Sequence, residues 1–219
     1  MKLQAVVFDM DGLMFDTERI VQYSWDVAGE RLGYEKLGQN IYHTLGMNRA
    51  GRQVYFQKKY GMDFPFDTFR AYNREAFFAR VQKEGLPVKP GLYTLLDFLK
   101  NLHIPMAVAT SSGGDYARDN LEQAGITRCF SAVVTGDMVS HAKPDPEIYL
   151  EACRKLQTAP SAAMAFEDSP NGIRSAKAAG MTAVMVPDLI APDEEIRALA
   201  DHCLSSLEHA PELIRRKYL

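Results

Sequence analysis

The chain predicts an α/β fold, a buried parallel sheet flanked by helices, with an all-helical unit inserted after the first strand. Two observations predict it. Short apolar, β-branched runs recur along most of the chain, each followed by turn residues and then an amphipathic stretch, and that alternation reads as βαβ units. From about 17 to 81 the rhythm stops: no strand-like run occurs, only helical patterns rich in aromatics.

Taken in order, the first strand is 5–8, Ala-Val-Val-Phe. The aromatic region follows, including Tyr23, Trp25, Tyr55, Phe56, Tyr60, Phe69, Tyr72, Phe77 and Phe78, which read as a packed helical core. The return linker runs from Lys83 through Pro87 to Pro90-Gly91, with the outgoing hinge near 15–17. This places the sheet unit at 1–15 and 82–219 and the helical unit at 16–81. Later strands are expected at 106–109, 132–135, 163–166 and 183–186, with helices at 116–124, 146–155, 171–179 and 193–200. Gly125 and Gly180 sit where C-terminal caps belong.

At 219 residues, 47% hydrophobic and 24% charged, the chain can bury a sizeable core and classes as a globular protein. A net charge of −3 offers no broad basic face for a nucleic-acid polymer or anionic lipid; the basic run Arg215-Arg216-Lys217 reads as a solvated helix end. No apolar run approaches the roughly 18 residues of a membrane span. The start of the chain passes too quickly into Asp9 for a secretory signal. Cys129, Cys153 and Cys203 form no CxxC pair, so neither a disulfide framework nor a zinc site is suggested; a cytoplasmic setting with all three thiols as core residues is expected, and a monomer is the default.

In an open parallel sheet, ligands bind beyond the carboxyl ends of the strands. Those positions are polar here: Asp9-Met10-Asp11-Gly12 after the first strand, Thr110-Ser111-Ser112 after the second, Lys143-Pro144-Asp145-Pro146 in a later segment, and Glu167-Asp168 after a further strand. Any one of them reads as a cap or turn; four at equivalent positions do not. Should Asp9, Asp11, Glu167 and Asp168 gather there, each like-charge pair at about 4 Å costs roughly 4 kcal/mol at an effective dielectric of 20, and a cation must offset it. An all-oxygen donor set favours a hard ion, and Mg²⁺ joins carboxylates to phosphate.

The ordered stretches Phe8-Asp9-Met10-Asp11-Gly12 with Asp16-Thr17, Val108-Ala109-Thr110-Ser111, Lys143-Pro144-Asp145-Pro146 and Phe166-Glu167-Asp168-Ser169 resemble the four motifs of the haloacid dehalogenase superfamily. The resemblance covers essentially the whole chain. Within the superfamily it points to the subgroup with a small helical cap, which includes β-phosphoglucomutase-like and pseudouridine-5′-phosphatase-like proteins.

The resemblance implies a Rossmann-like core, a Mg²⁺ cofactor and a small phosphorylated metabolite as substrate, a sugar phosphate or nucleoside monophosphate. Asp9 would be the nucleophile and Asp11 the general acid and then base. Thr110 would bind a phosphate oxygen with the Ser111 and Ser112 N–H groups. Lys143 would bridge Asp9 and phosphate. Asp168 would bind the metal with Asp9 and the Asp11 carbonyl, and Glu167 would act through water or as an outer acceptor. Asp16-Thr17 reads as hinge and helix cap, Glu18 and Arg19 as solvated first-turn residues, Arg49 as either a substrate contact or a surface residue, and His141 as a loop histidine bound to backbone.

The alternatives separate on particular residues. Asp11 argues for phosphoryl chemistry over dehalogenation. A phosphomutase of the β-phosphoglucomutase type carries a histidine on the first cap helix, where Val21 stands here, and a later cap lysine, where the chain has Tyr72. A phosphoacceptor receiver module would be shorter and lack the helical insertion, and a silent phospho-ligand-binding relative would release no phosphate.

Overall fold

The computed structural model describes residues 2–45 and 47–219; Gly46, in the 46–49 stretch that leads into Arg49, lies outside the described residues. Six parallel strands form one sheet: β1 (Ala5–Phe8), β2 (Met106–Thr110), β3 (Ala132–Thr135), β4 (Ala163–Glu167), β5 (Thr182–Met185) and β6 (His202–Cys203), in spatial order β3-β2-β1-β4-β5-β6. The order reverses direction between β1 and β4, which pair in register from Ala5 with Ala163 to Phe8 with Phe166. Such a switch point leaves a crevice beyond the carboxyl ends of the two strands.

Alternation along the strands divides the core into two layers. Val6, Phe8, Val108, Phe166 and Val184 face one side, covered by α5 (Leu92–Asn101), α6 (Gly114–Gln123) and α10 (Ala210–Lys217). Ala5, Val7, Ala107, Ala165 and Met185 face the other, covered by α7 (Glu147–Lys155), α8 (Pro170–Ala178) and α9 (Glu194–Leu199). The small alanines on this second face let helices lie close to the sheet. Gly125 and Gly180 end helices at φ 69° and 83°, as their sequence positions predict.

Between β1 and β2 the described residues form helices and no strand: α1 (Glu18–Leu32), α2 (Ile41–Thr44), α3 (Arg49–Tyr60) and α4 (Phe66–Glu84). Trp25 and Phe56 meet edge-on at 5.2 Å and Phe56 lies 5.0 Å from Phe69, geometries worth about 0.5–1.5 kcal/mol each beyond area burial. Tyr23 departs from the expected aromatic core and is exposed. The chain leaves and returns side by side: the Asp16 N–H donates to the Pro87 carbonyl and the Lys89 N–H to the Met14 carbonyl, both at 2.9 Å.

The thiols also depart from expectation. Cys153 is buried, Cys129 partly so and Cys203 exposed, because Cys203 ends a two-residue edge strand rather than a buried one. No helix among the described residues is long and apolar enough to cross a membrane.

Candidate active site

The central strand β1 delivers Asp9 to the switch point, where its N–H donates to the Phe166 carbonyl at 3.0 Å. Lys143, from the loop between β3 and α7, is buried and donates from Nζ to Asp9 Oδ1 at 2.6 Å, to the Ala109 carbonyl at 3.0 Å and to Glu167 Oε1. Burial opposes the Lys143 charge, but Asp9 and Glu167 outweigh it and hold the ammonium above the ordinary lysine range.

Glu167, the last residue of β4, is fully buried and its oxygens are taken. Oε1 also accepts from the Tyr149 hydroxyl at 2.8 Å, and Oε2 accepts from the Asp168 and Ser169 N–H groups and the Ser169 hydroxyl. A Cβ on Gly172 would stand 1.8 Å from the Glu167 carboxyl carbon, so glycine is required on that helix turn. Of the two roles expected for Glu167, this saturation favours the outer acceptor.

Asp9, Glu167 and Asp168 bring oxygens within 4.8 Å of one another. Burial raises Asp9 to about 7 despite Lys143, and raises Asp168 well above the carboxylate range, with Glu167 and Asp9 adding to the effect. Lys143 touches two of the three buried carboxylates, Asp9 and Glu167, so with all three ionised the group carries uncompensated negative charge in a low-dielectric setting. An all-oxygen set of that charge fits Mg²⁺.

Asp11 does not join this cluster through its side chain. Oδ1 accepts from the Thr17 hydroxyl at 2.7 Å and the Tyr116 hydroxyl at 3.0 Å, and Oδ2 from the Ser112 hydroxyl at 2.7 Å. The expected cap role of Thr17 is therefore corrected: it occupies the N-cap position of α1 without a side-chain cap bond, because its hydroxyl is committed to Asp11. Thr110 ends β2, and its Oγ1 accepts from the Ser112 N–H at 3.0 Å, so that N–H is engaged inside the loop; α6 itself starts only at Gly114.

Above Asp11 opens a cavity of about 570 Å³, floored by Ser111, Ser112 and Tyr116 and roofed by the helical insert. Arg49 lies on its wall and pairs with exposed Asp67 at 2.9 Å. Arg52, Arg70 and Arg74 line the same roof. Val21 faces the cavity, and Tyr72 packs in the aromatic core of the insert.

Glu18 corrects a second expectation. Instead of being solvated, it is 4% exposed, lines the cavity and leaves Oε2 without a partner. Burial raises it to about 8, with Arg52 opposing. The Arg52 Nε is likewise buried and unpartnered. Sequence reasoning assigned no site role to Glu18, Arg52 or Tyr116, since a first-turn glutamate, a helix arginine and a tyrosine two residues into a helix carry no motif of their own. His141, expected to bind backbone, instead puts Nδ1 2.9 Å from Glu147 Oε2.

Two aspartates, Asp9 and Asp11, at the switch point of a parallel sheet, one of them bound to a buried lysine and the other under a helical roof, form the arrangement expected of a haloacid dehalogenase-type hydrolase. The family model "Haloacid dehalogenase-like hydrolase" matches residues 6–186, and the chain belongs to that family. The phosphorylated carbohydrates phosphatase of Thermotoga maritima is 32% identical, covering 82% of each chain. The fructose-1-phosphate phosphatase YqaB of Escherichia coli is 33% identical, over 83% of this chain and 95% of that one. The crystal structure of CbbY from Rhodobacter sphaeroides in complex with phosphate superposes with a TM-score of 0.82 at 27% identity, covering 94% and 95% of the two chains.

Proposed function

We propose that the protein is a Mg²⁺-dependent phosphatase of a small sugar phosphate or nucleoside monophosphate, working through an aspartyl-phosphate on Asp9. The observation that carries the reading is the division of labour between two aspartates. Asp9 is tied to Lys143 in the buried cluster, and Asp11 is held by three hydroxyls at the cavity floor. The naming of relatives above 30% identity as phosphatases of phosphorylated carbohydrates agrees with it.

The Asp9 carboxylate attacks phosphorus, forming an acyl-phosphate bond as the bond to the leaving oxygen breaks. Asp11 delivers its proton to that oxygen, which leaves as an alcohol. Thr17, Ser112 and Tyr116 keep Asp11 aimed at the cavity, where the leaving group lies. Asp11, now a carboxylate, takes a proton from a water that attacks the phosphoryl group and restores Asp9. Lys143 keeps Asp9 oriented and balances phosphoryl charge. Asp9, Asp168 and the Asp11 carbonyl would hold the Mg²⁺, which when bound supplies positive charge to the phosphoryl oxygens. Glu18 and Arg52, with unsatisfied polar atoms in the roof, would meet the leaving group. Val21 at the position of the mutase histidine leaves no group there to manage a sugar hydroxyl, which counts against phosphomutase chemistry.

The test is phosphate release from a panel of sugar phosphates, nucleotides and pseudouridine monophosphate, with Mg²⁺ and with EDTA, for the wild type and Asp9→Asn. Metal-dependent release that Asp9→Asn abolishes without unfolding is the expected result; full activity in EDTA or in the variant refutes the mechanism.

A further inference from the structure

Beyond the cluster that would hold the metal lies a second, part-buried ion pair that the mechanism does not use. Asp188 follows β5, at the same carboxyl rim as Asp9 and Asp168, and its side chain is 5% exposed. Lys89, on the return linker, donates from Nζ to Asp188 Oδ1 at 2.6 Å. The other oxygen, Oδ2, is buried and has no hydrogen-bond partner. A buried carboxylate oxygen left bare costs the desolvation of a charged group, so a partner is expected.

The position of that oxygen is marked by Gly12. A Cβ built there would stand 2.3 Å from Asp168 Oδ2 and 3.4 Å from Asp188 Oδ2, so both carboxylates reach the space beside Gly12. Asp188 also bears electrostatically on both Asp168 and Glu18. With all four carboxylates ionised, Asp9, Glu167, Asp168 and Asp188 against Lys143 and Lys89 leave an excess of two negative charges among these groups, which a divalent cation would offset. Asp188 is outside the tight Asp9–Glu167–Asp168 group, so it is placed to reach the ion's hydration shell rather than the ion. Mg²⁺ keeps several waters when bound through one or two carboxylates.

We propose that Asp188 is a positioning residue of the metal site: its Oδ2 accepts a hydrogen bond from a water carried by Mg²⁺, and Lys89 fixes its orientation through Oδ1. The inference rests on the metal reading above and adds to it a second outer acceptor. Because Lys89 sits on the linker that returns from the insert, and Leu189 and Ile190 pack against the insert's aromatic core, the same segment also ties this acceptor to the seating of the roof.

Asp188→Asn tests it specifically. The amide oxygen can still accept from Lys89, while an N–H donor replaces the acceptor that faces the water. Mg²⁺ titration by calorimetry, on folded protein without substrate, should show a dissociation constant weakened about 10–100-fold, the usual cost of losing an outer-shell partner. Turnover should return toward wild type at saturating Mg²⁺. A merely structural Asp188 would lower thermal stability in EDTA and leave the Mg²⁺ dissociation constant unchanged, which overturns the inference. Should Asp188→Asn fail to fold, Lys89→Met with Asp188→Leu replaces the pair by apolar groups, a change buried ion pairs often tolerate, and must show the same weakening. A wild type that binds no Mg²⁺ refutes the metal reading itself and this inference with it; wild-type binding that both variants retain refutes the inference alone.

Discussion

Replacing Glu18 by Gln should reveal how strongly the roof of the cavity holds a proton. Glu18 is buried, with one oxygen unpartnered and Arg52 as a partial offset. Its pKa rises from 4.5 to about 8 on folding, chiefly by desolvation. The folded protein therefore keeps a proton that the unfolded chain releases above 4.5. Stability from this group is fully present below the unfolded value and is lost as pH rises through the folded one. At about 1.4 kcal/mol per pH unit, the linkage removes roughly 3–4 kcal/mol between about pH 5 and pH 8. The glutamine side chain has the same shape and does not titrate. Urea denaturation of both proteins in EDTA, at several pH values across this window, measures the difference. The variant should gain on the wild type by that amount across the window, all other titrating groups being common to both. A stability difference constant across the range would refute the burial argument, and with it the placement of a protonated acid in the substrate cavity.

Asp11→Asn should slow hydrolysis of a sugar phosphate by about 10²–10⁴-fold, the usual worth of a general acid, and slow p-nitrophenyl phosphate much less, because p-nitrophenolate leaves without a proton; equal losses on both substrates would remove Asp11 from that role. Gly172→Ala should cost more than about 3 kcal/mol in a urea melt, as overpacking does where nothing can give, since its Cβ would stand 1.8 Å from the Glu167 carboxyl carbon and Lys143, Tyr149 and Ser169 pin that carboxylate. A variant of unchanged stability would show that Glu167 is free to move.

What the sequence made legible follows from the range of the interactions. The central strands read clearly because each is an apolar run bounded by turn residues, and β1 and β3 match their expected spans residue for residue. β6 did not read, since two residues carry no period, and its existence depends on pairing with β5. The motif residues at the strand ends were legible because a parallel sheet sends every such position to one rim. Glu18, Tyr116 and the Lys89–Asp188 pair were not, because their roles are created by contacts between segments that sequence spacing does not relate; Lys89 and Asp188 stand 99 positions apart.

Thr17 shows where the two kinds of information meet. Its position before a helix predicts a cap, and the chain does place it there, yet its hydroxyl turns to Asp11. Asp11 is thus gripped from the N-cap residue of the insert's first helix and, through Ser112 and Tyr116, from the segment after β2. A displacement of the insert that carried Thr17 away would remove one of the two hydroxyls on Oδ1. The residue assigned to move the proton is in this way seated by both parts of the chain at once, and its aim depends on how the roof sits over the sheet.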